Sequence, residues 1–258
     1  MINKPLKQAR VLISNDDGIE SPGLRTLVRI MEKLAAEVWV SAPESEQSAA
    51  SHSLTLRRPL RIRKVSARRF AVDGTPTDCV LMGINKIMRD CRPDLVLSGV
   101  NRGGNLGEDV TYSGTVAAAM EGSLLGVPAI AFSQVTEDRG KPRWSVAEKW
   151  APRVLELLSG AEWPSNTLIN VNFPDVAADA VTGMEAVMQG RRKIGDEMAE
   201  GVDPRGENYY WIGARRSEDR FKPGTDLEAV NRGAVALTPL TLDLTHKPSL
   251  KTLKAMLS

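Results

Sequence analysis

Asp16 and Asp17 stand side by side in VLISNDDGIESPG, residues 11–23, directly after a short apolar run. Two carboxylates at one strand end repel each other, and a bound cation is the simplest stabiliser of such a pair. The competing reading is a solvated turn, because Asn, Asp and Gly are ordinary turn formers. Two more loops are equally polar. The segment after VWVSAP reads ESEQSAASHS and contains Ser48 and His52; the segment after DLVLSGV reads NRGGNLGEDVTYSGT and contains Asn101, Asn105, Ser113, Gly114 and Thr115. Ser48, Asn101 and the two carboxylates offer only oxygen donors, with no cluster of Cys or His of the kind zinc prefers, which points to Mg2+ or Mn2+. His52 and His246 are the only histidines, so a centre that needs several imidazoles is excluded. For His52 a structural hydrogen bond and a catalytic role stay equally open.

Ser113, Gly114 and Thr115 precede the helical run VAAAMEGSLLG. Free backbone N–H groups, hydroxyls and the helix dipole favour an anion at such an N-terminus, although a plain N-cap by Ser113 has the same signature. A cation site and an anion site on neighbouring loops together suit hydrolysis of a phosphate ester. In that chemistry a water attacks phosphorus and Asp16 or Asp17 accepts its proton. Ser113 as nucleophile is a weaker alternative, because no base is evident near it in sequence. Phosphatases with an aspartyl nucleophile separate two Asp residues by one position in DxDx[TV], whereas Asp16 and Asp17 are adjacent. A non-catalytic nucleotide or phosphate sensor would use the same loops. Neither GxGxxG after the first strand nor GxxxxGK[ST] anywhere is present, so dinucleotide binding and P-loop chemistry lack their signatures.

The elements that must hold these loops alternate in type. RVLIS, EVWVSAP, DLVLSGV, PAIAFS and TLINVNFP read as buried strands, and PGLRTLVRIMEKLAA, PTDCVLMGINKIMRD, SGTVAAAMEGSLLG and SVAEKWAPRVLELLSG as helices. That rhythm predicts a doubly wound, mostly parallel, Rossmann-like α/β sheet, whose ligands lie beyond the carboxyl ends of the strands. LTLRRPLRIRKV alternates apolar and basic residues around Pro59 and predicts an exposed β-hairpin insertion at about 54–72. The expected organisation is a single domain over 1–258, with a core over 9–178 and a C-terminal lobe over 179–258 that ends in the strand GAVALTPL and the helix PSLKTLKAML. The region from 180 to 235 is irregular and rich in charge and glycine. Its cluster Tyr209, Tyr210 and Trp211 reads as core or subunit contact, with base stacking as the alternative.

With 258 residues, 42% hydrophobic and 26% charged, the chain is long enough for a sizeable core. Lys+Arg 34 against Asp+Glu 32 gives a net charge of +2, far from the excess of a nucleic-acid polymer binder. The seven basic residues of RRPLRIRKVSARR, 57–69, read as a solvated hairpin face rather than a polyanion patch. The N-terminal apolar run Val11–Ile13 is too short for a signal peptide or a membrane span, and Cys79 and Cys91 make no CxxC pair, so a cytoplasmic protein is expected.

VLISNDDGIESPG, APESEQSAASHSLT, GTPTDCV, SGVNRGGNLGEDVTYSGTVAAAMEG and TDLEAVNRGAVALTPL, in that order, resemble the SurE family of metal-dependent 5′/3′-nucleotidases. The resemblance spans about residues 10–240 and is thin over 136–165. It implies that Asp16, Asp17, Ser48 and Asn101 coordinate one divalent metal ion per subunit, and that Asn105, Ser113, Gly114 and Thr115 fall where the family holds the phosphate. It further implies hydrolysis of nucleoside 5′- and 3′-monophosphates, in some members also of short polyphosphate, by cytoplasmic dimers or tetramers that exchange C-terminal segments. Gly104 departs from the pattern, where many relatives have Pro, and is expected to loosen the loop before Asn105.

Overall fold

The computed structural model describes residues 4–136, 140–159, 164–194, 198–212, 216–218 and 222–257. Its strands are β1 (Arg10–Ser14), β2 (Glu37–Pro43), β3 (Ile62–Ser66), β4 (Arg69–Val72), β5 (Leu95–Arg102), β6 (Ala129–Gln134), β7 (Thr167–Phe173), β8 (Gly183–Ala186), β9 (Arg192–Ile194), β10 (Met198–Val202), β11 (Asn208–Ile212), β12 (Arg216–Glu218) and β13 (Ala234–Thr241). The helices are α1 (Pro22–Met31), α2 (Pro76–Met82), α3 (Gly114–Leu124), α4 (Trp144–Ser159), α5 (Asp226–Asn231) and α6 (Lys247–Leu257).

One sheet runs β3-β4-β2-β1-β5-β6-β7-β13-β8 and is parallel from β4 to β7. β1 is buried on both faces, as its unbroken apolar run demands. Val11 and Ile13 face a layer made with α1 and α4, while Leu12 faces a second layer made with α2 and α3. α1 enters through Ser21, whose Oγ accepts the Leu24 N–H, and Pro22 at its first position, and it buries Leu24, Leu27, Ile30 and Met31. The chain runs from β1 to β2 on one side and later returns to β5 on the other. The crevice at the carboxyl ends of β1 and β5 is therefore the topological switch point of the sheet.

β5 carries a bulge there: Ser98 pairs with Ala131 but Asn101 with Ser133, so three steps on β5 meet two on β6. Gly99, at φ +121°, makes this possible, because a side chain in its place would overlap the Phe132 carbonyl. Such a bulge re-aims the residues that follow it, here Asn101 and Arg102.

Two expectations need correction. The hairpin is shorter than 54–72 and does not stand apart: β3 and β4 span 62–72, and β4 joins the main sheet beside β2. Residues 53–55 are instead drawn toward α2, where Asp78 Oδ1 accepts the Thr55 N–H at 3.0 Å and Ser53 O accepts the Thr75 hydroxyl at 2.7 Å. The basic face of this segment is largely paired, with Arg58 on Asp73, Arg63 on Glu44, Arg68 on Glu37 and Arg69 on Glu20. Tyr209, Tyr210 and Trp211 are not core: they lie exposed on β11, which pairs only with β10 among the described strands.

The C-terminal segments return to the sheet and hold the third polar loop. β13 inserts antiparallel to β7 and brings α5 with it. Asp226, at the start of α5, accepts backbone N–H groups from Gly107 at 2.9 Å, Gly190 at 2.8 Å and Leu227 at 2.9 Å. Gln189 Nε2 donates to Gly107 O at 2.8 Å, and Arg192 lies 3.2 Å from Asp109 Oδ2. Removing the shared acceptor strands three buried or half-buried donors. Asp226→Ala is expected to lower stability by about 3 kcal/mol, read as a fall in Tm of roughly 10 °C by calorimetry.

Candidate functional site

At the end of β1 the chain turns sharply while still buried. Asn15 is fully buried, and its Nδ2 donates to Gly18 O at 3.0 Å and to Ser21 Oγ at 2.7 Å, which fixes the turn between β1 and α1. Asp16 is 5% exposed. Its Oδ1 accepts the Thr115 hydroxyl, and the Thr115 backbone N–H also reaches its carboxylate. Asp17 points elsewhere, and its Oδ2 accepts the Arg102 backbone N–H at 3.2 Å. The adjacent carboxylates thus split, one toward the N-terminus of α3 and the other toward the end of β5.

Both are held above the ordinary carboxylate value. Burial pushes Asp16 up against the opposing pull of Thr115. Burial and the neighbouring Asp16 charge push Asp17 up to about 7. Glu46 in the second loop adds further negative charge to both. Among the described residues no three His, Cys, Asp or Glu side chains converge. A cation here would rest on two carboxylates and neutral oxygens, a hard-ion donor set.

The structure assembles most of the residues singled out from sequence. Gly114 packs against Asp16 so closely that a Cβ would lie 2.7 Å from Asp16 Cβ. The second loop is tied to the first by Gln47 N–H on Asp16 O at 2.8 Å, one residue before Ser48. Ser48 Oγ donates to Glu46 Oε1 at 2.7 Å and keeps its lone pairs. Asn101 Nδ2 donates to Gly103 O at 3.0 Å, so its carbonyl oxygen is not engaged by that bond. Ser113 caps α3, its Oγ accepting the Val116 N–H at 3.0 Å, which leaves the hydroxyl proton for another acceptor. Thr115 is fully buried and spends its hydroxyl on Asp16. Asn105 lies farther along the crevice and donates to Ser133 Oγ at 2.8 Å.

Gly104 does not leave Asn105 loose. Asn105 N–H donates to Asn172 Oδ1 at 2.9 Å, and Asn105 O accepts from Asn170 Nδ2 at 2.8 Å and Asn172 Nδ2 at 3.0 Å. These two asparagines were readable as polar residues at period two inside the apolar strand TLINVNF, but their partner was not. His52 Nε2 meets buried Glu121 Oε2 at 3.0 Å, a structural contact that pins the second loop to α3. Ser51 adds two bonds to the third loop, through Tyr112 O and Thr111 O. A cavity of about 260 Å3 opens at the opposite, amino ends of the strands, lined by Leu95, Val127, Leu158 and Leu168, with no titratable side chain in its lining. The chemistry therefore belongs to the switch-point crevice.

Comparison with known proteins identifies the family. The family model described as Survival protein SurE matches residues 11–196. A relative named 5′-nucleotidase SurE from Paramagnetospirillum magneticum is 64% identical over 245 residues, covering 95% of this chain and 94% of its own. Another of that name, from Rhodospirillum rubrum, is 55% identical over 251 residues, covering 96% of each. The crystal structure of the SurE protein from Aquifex aeolicus superposes with a TM-score of 0.84 at 39% identity, covering 96% of this chain and 100% of that one. With matches of this length and identity, the chain belongs to the SurE survival-protein family.

Proposed function

We propose that this protein is a divalent-metal-dependent phosphomonoesterase that hydrolyses nucleoside 5′-monophosphates to nucleoside and phosphate, with 3′-monophosphates and short polyphosphate as further substrates. The observation that carries the reading is the adjacent pair of buried Asp16, facing the N-terminus of α3, and half-buried Asp17, facing the end of β5. Burial holds both carboxylates above their ordinary range, helped by Glu46 at Asp16 and by the Asp16 charge at Asp17, so the pair gains from a cation between its oxygens. Asp16, Asp17, Ser48 and Asn101 would hold one such ion, Mg2+ or Mn2+ by the hardness of the donors. When bound, it supplies positive charge against phosphoryl oxygens and acidifies water.

The chain's own groups supply the remainder. The backbone N–H of Gly114, with the dipole of α3 behind it, cradles a phosphoryl group, and Ser113 adds its free hydroxyl proton. Thr115 orients Asp16. Asn105, braced by Asn170 and Asn172, closes the far side of the cradle. A water attacks phosphorus in line, and Asp16 or Asp17 accepts its proton. Ser113 as the nucleophile finds no support, because among the described residues its oxygen contacts the Val116 N–H rather than a base. A phosphoenzyme trapped on Ser113 would reverse this order.

The protein acts as a cytoplasmic homodimer or homotetramer in this reading. No described helix is long and apolar enough to cross a membrane. Trp211 and Ile212 on β11 are 69% and 70% exposed, and Leu253, Met256 and Leu257 of α6 are also uncovered, surfaces that a second subunit would bury.

The first test is phosphate release from 5′-AMP by chelated protein, before and after addition of Mg2+ or Mn2+. Release is expected only with metal, and Asp16→Asn is expected to lose about 10³-fold in kcat. Binding of AMP without turnover at any metal concentration would leave a sensor instead. Gly114→Ala drives its new methyl into Asp16, and a shift of even 1 Å there is expected to cost roughly 10²-fold in kcat/KM, with the melting temperature as a control for folding. A third test reads stability. Asp17 has a folded-state pKa of about 7 against an ordinary 3.8, so the folded state holds a proton that the unfolded chain releases. Stability of the chelated protein is therefore expected to fall as pH rises from 3.8 to about 7, and Asp17→Asn to flatten that slope in urea titrations.

A further inference from the structure

Arg102 is the last residue of β5, one position beyond Asn101, and its side chain is exposed at the mouth of the crevice. The bulge in β5 turns this end of the strand toward β1, and the Arg102 N–H is anchored on Asp17 Oδ2 at 3.2 Å. Its guanidinium forms no ion pair with any described carboxylate. That sets it apart from the arginines of the neighbouring edge, where Arg58, Arg63, Arg68 and Arg69 each have an acidic partner. Its charge is nevertheless felt in the site, where it opposes the rise of Asp17.

The two carboxylates divide the crevice. Asp16 contacts the N-terminus of α3 and Asp17 contacts the end of β5. A phosphoryl group seated between them meets backbone N–H donors on the α3 side only. On the β5 side, among the described residues, the cation without an acidic partner is Arg102, whose planar fork of donors suits two oxygens of one phosphate.

We propose that Arg102 is a substrate-binding residue that clasps the phosphoryl group from the β5 side, opposite the N-terminus of α3, and so sets the affinity for doubly charged phosphate. This rests on the reading of the crevice as a phosphate site, but not on turnover. A guanidinium that only neutralised Asp17 would alter the affinity for the metal. One that binds substrate alters the affinity for phosphate at saturating metal.

The experiment is calorimetric titration of inorganic phosphate into the Mn2+-saturated full-length protein, for wild type, Arg102→Ala and Arg102→Lys, beside titration of Mn2+ alone. Arg102→Ala is expected to weaken phosphate about tenfold, the worth of one charge-assisted hydrogen bond at an open site. Its Mn2+ dissociation constant is expected to move by less than about threefold, and Arg102→Lys to recover part of the loss because the charge returns without the fork. KM for 5′-AMP is expected to follow phosphate more closely than kcat does. Unchanged phosphate affinity in Arg102→Ala, or a loss matched by an equal change in Mn2+ affinity, would overturn the assignment. If phosphate binding depends on Arg102 but wild type turns over no nucleotide, the assignment stands and the nucleotidase reading falls.

Discussion

Two carboxylates are kept next to each other in a place from which water has largely been removed, and the surrounding structure is arranged around that conflict. Each would be protonated more readily there than in solvent, and neither can leave, because β1 is buried on both faces and Asn15 pins the turn that follows it. A protein under selection for stability alone would replace one of them with an amide of the same shape. In the proposed function a divalent cation shared by the two carboxylates would relieve that conflict. The same logic explains Thr115, whose hydroxyl is buried on Asp16: it fixes one oxygen of the pair and leaves the rest of the carboxylate outward.

Everything else that touches the crevice keeps this pair in register with the donors opposite. The second loop is sewn to Asp16 by Gln47, to the third loop by Ser51, to α3 by His52 and to α2 by Thr55. The third loop is sewn to β7 by Asn170 and Asn172 and to the C-terminal segments by Asp226. Loops that carry a site are usually the variable part of an α/β fold, positioned by the ends of strands. Here they are cross-linked to one another as well, through residues from position 15 to position 226. The C-terminal part supports the third polar loop of the crevice.

The fold was legible because its signal is local. Unbroken apolar runs next to helical periodicity specify buried parallel strands with crossovers, and β1, β2, β5, β6 and β7 lie where that pattern put them. The carboxylate pair was legible for the same reason, since it follows the first such run. What was not legible depends on partners distant in sequence. Asp226 reads as an ordinary first-turn acid, and nothing near it announces Gly107 or Gly190 as its donors. Asp78 lies in GTPTDC, where the capping box with Thr75 was foreseeable but its second duty, holding Thr55, was not. The hairpin was misplaced because the alternation from Leu54 to Val65 is satisfied in two ways. The half before Pro59 is drawn to α2, and only the half after Leu60 finds a strand to pair with. The basic segment is the solvent face that its alternation indicates, its exposed arginines meeting acids on β2 and in the turns beside it.

The second loop shows how the fold enforces its own precision. Ala49 and Ser51 both sit in the left-handed region, at φ 60° and 54°, with side chains that disfavour it. Each costs roughly 1–2 kcal/mol relative to a relaxed backbone. Glycine would remove the cost but would return freedom to the segment that carries Ser48. The strain is held by bonds made after it, Ser51 to Thr111 and Tyr112 and His52 to Glu121, so the loop is fixed from the α3 side. Ser48 is consequently delivered by a backbone with few alternative conformations. If Ser48 holds a cation as proposed, this suits it, because a neutral oxygen has little electrostatic attraction of its own and must already be in place when the cation arrives.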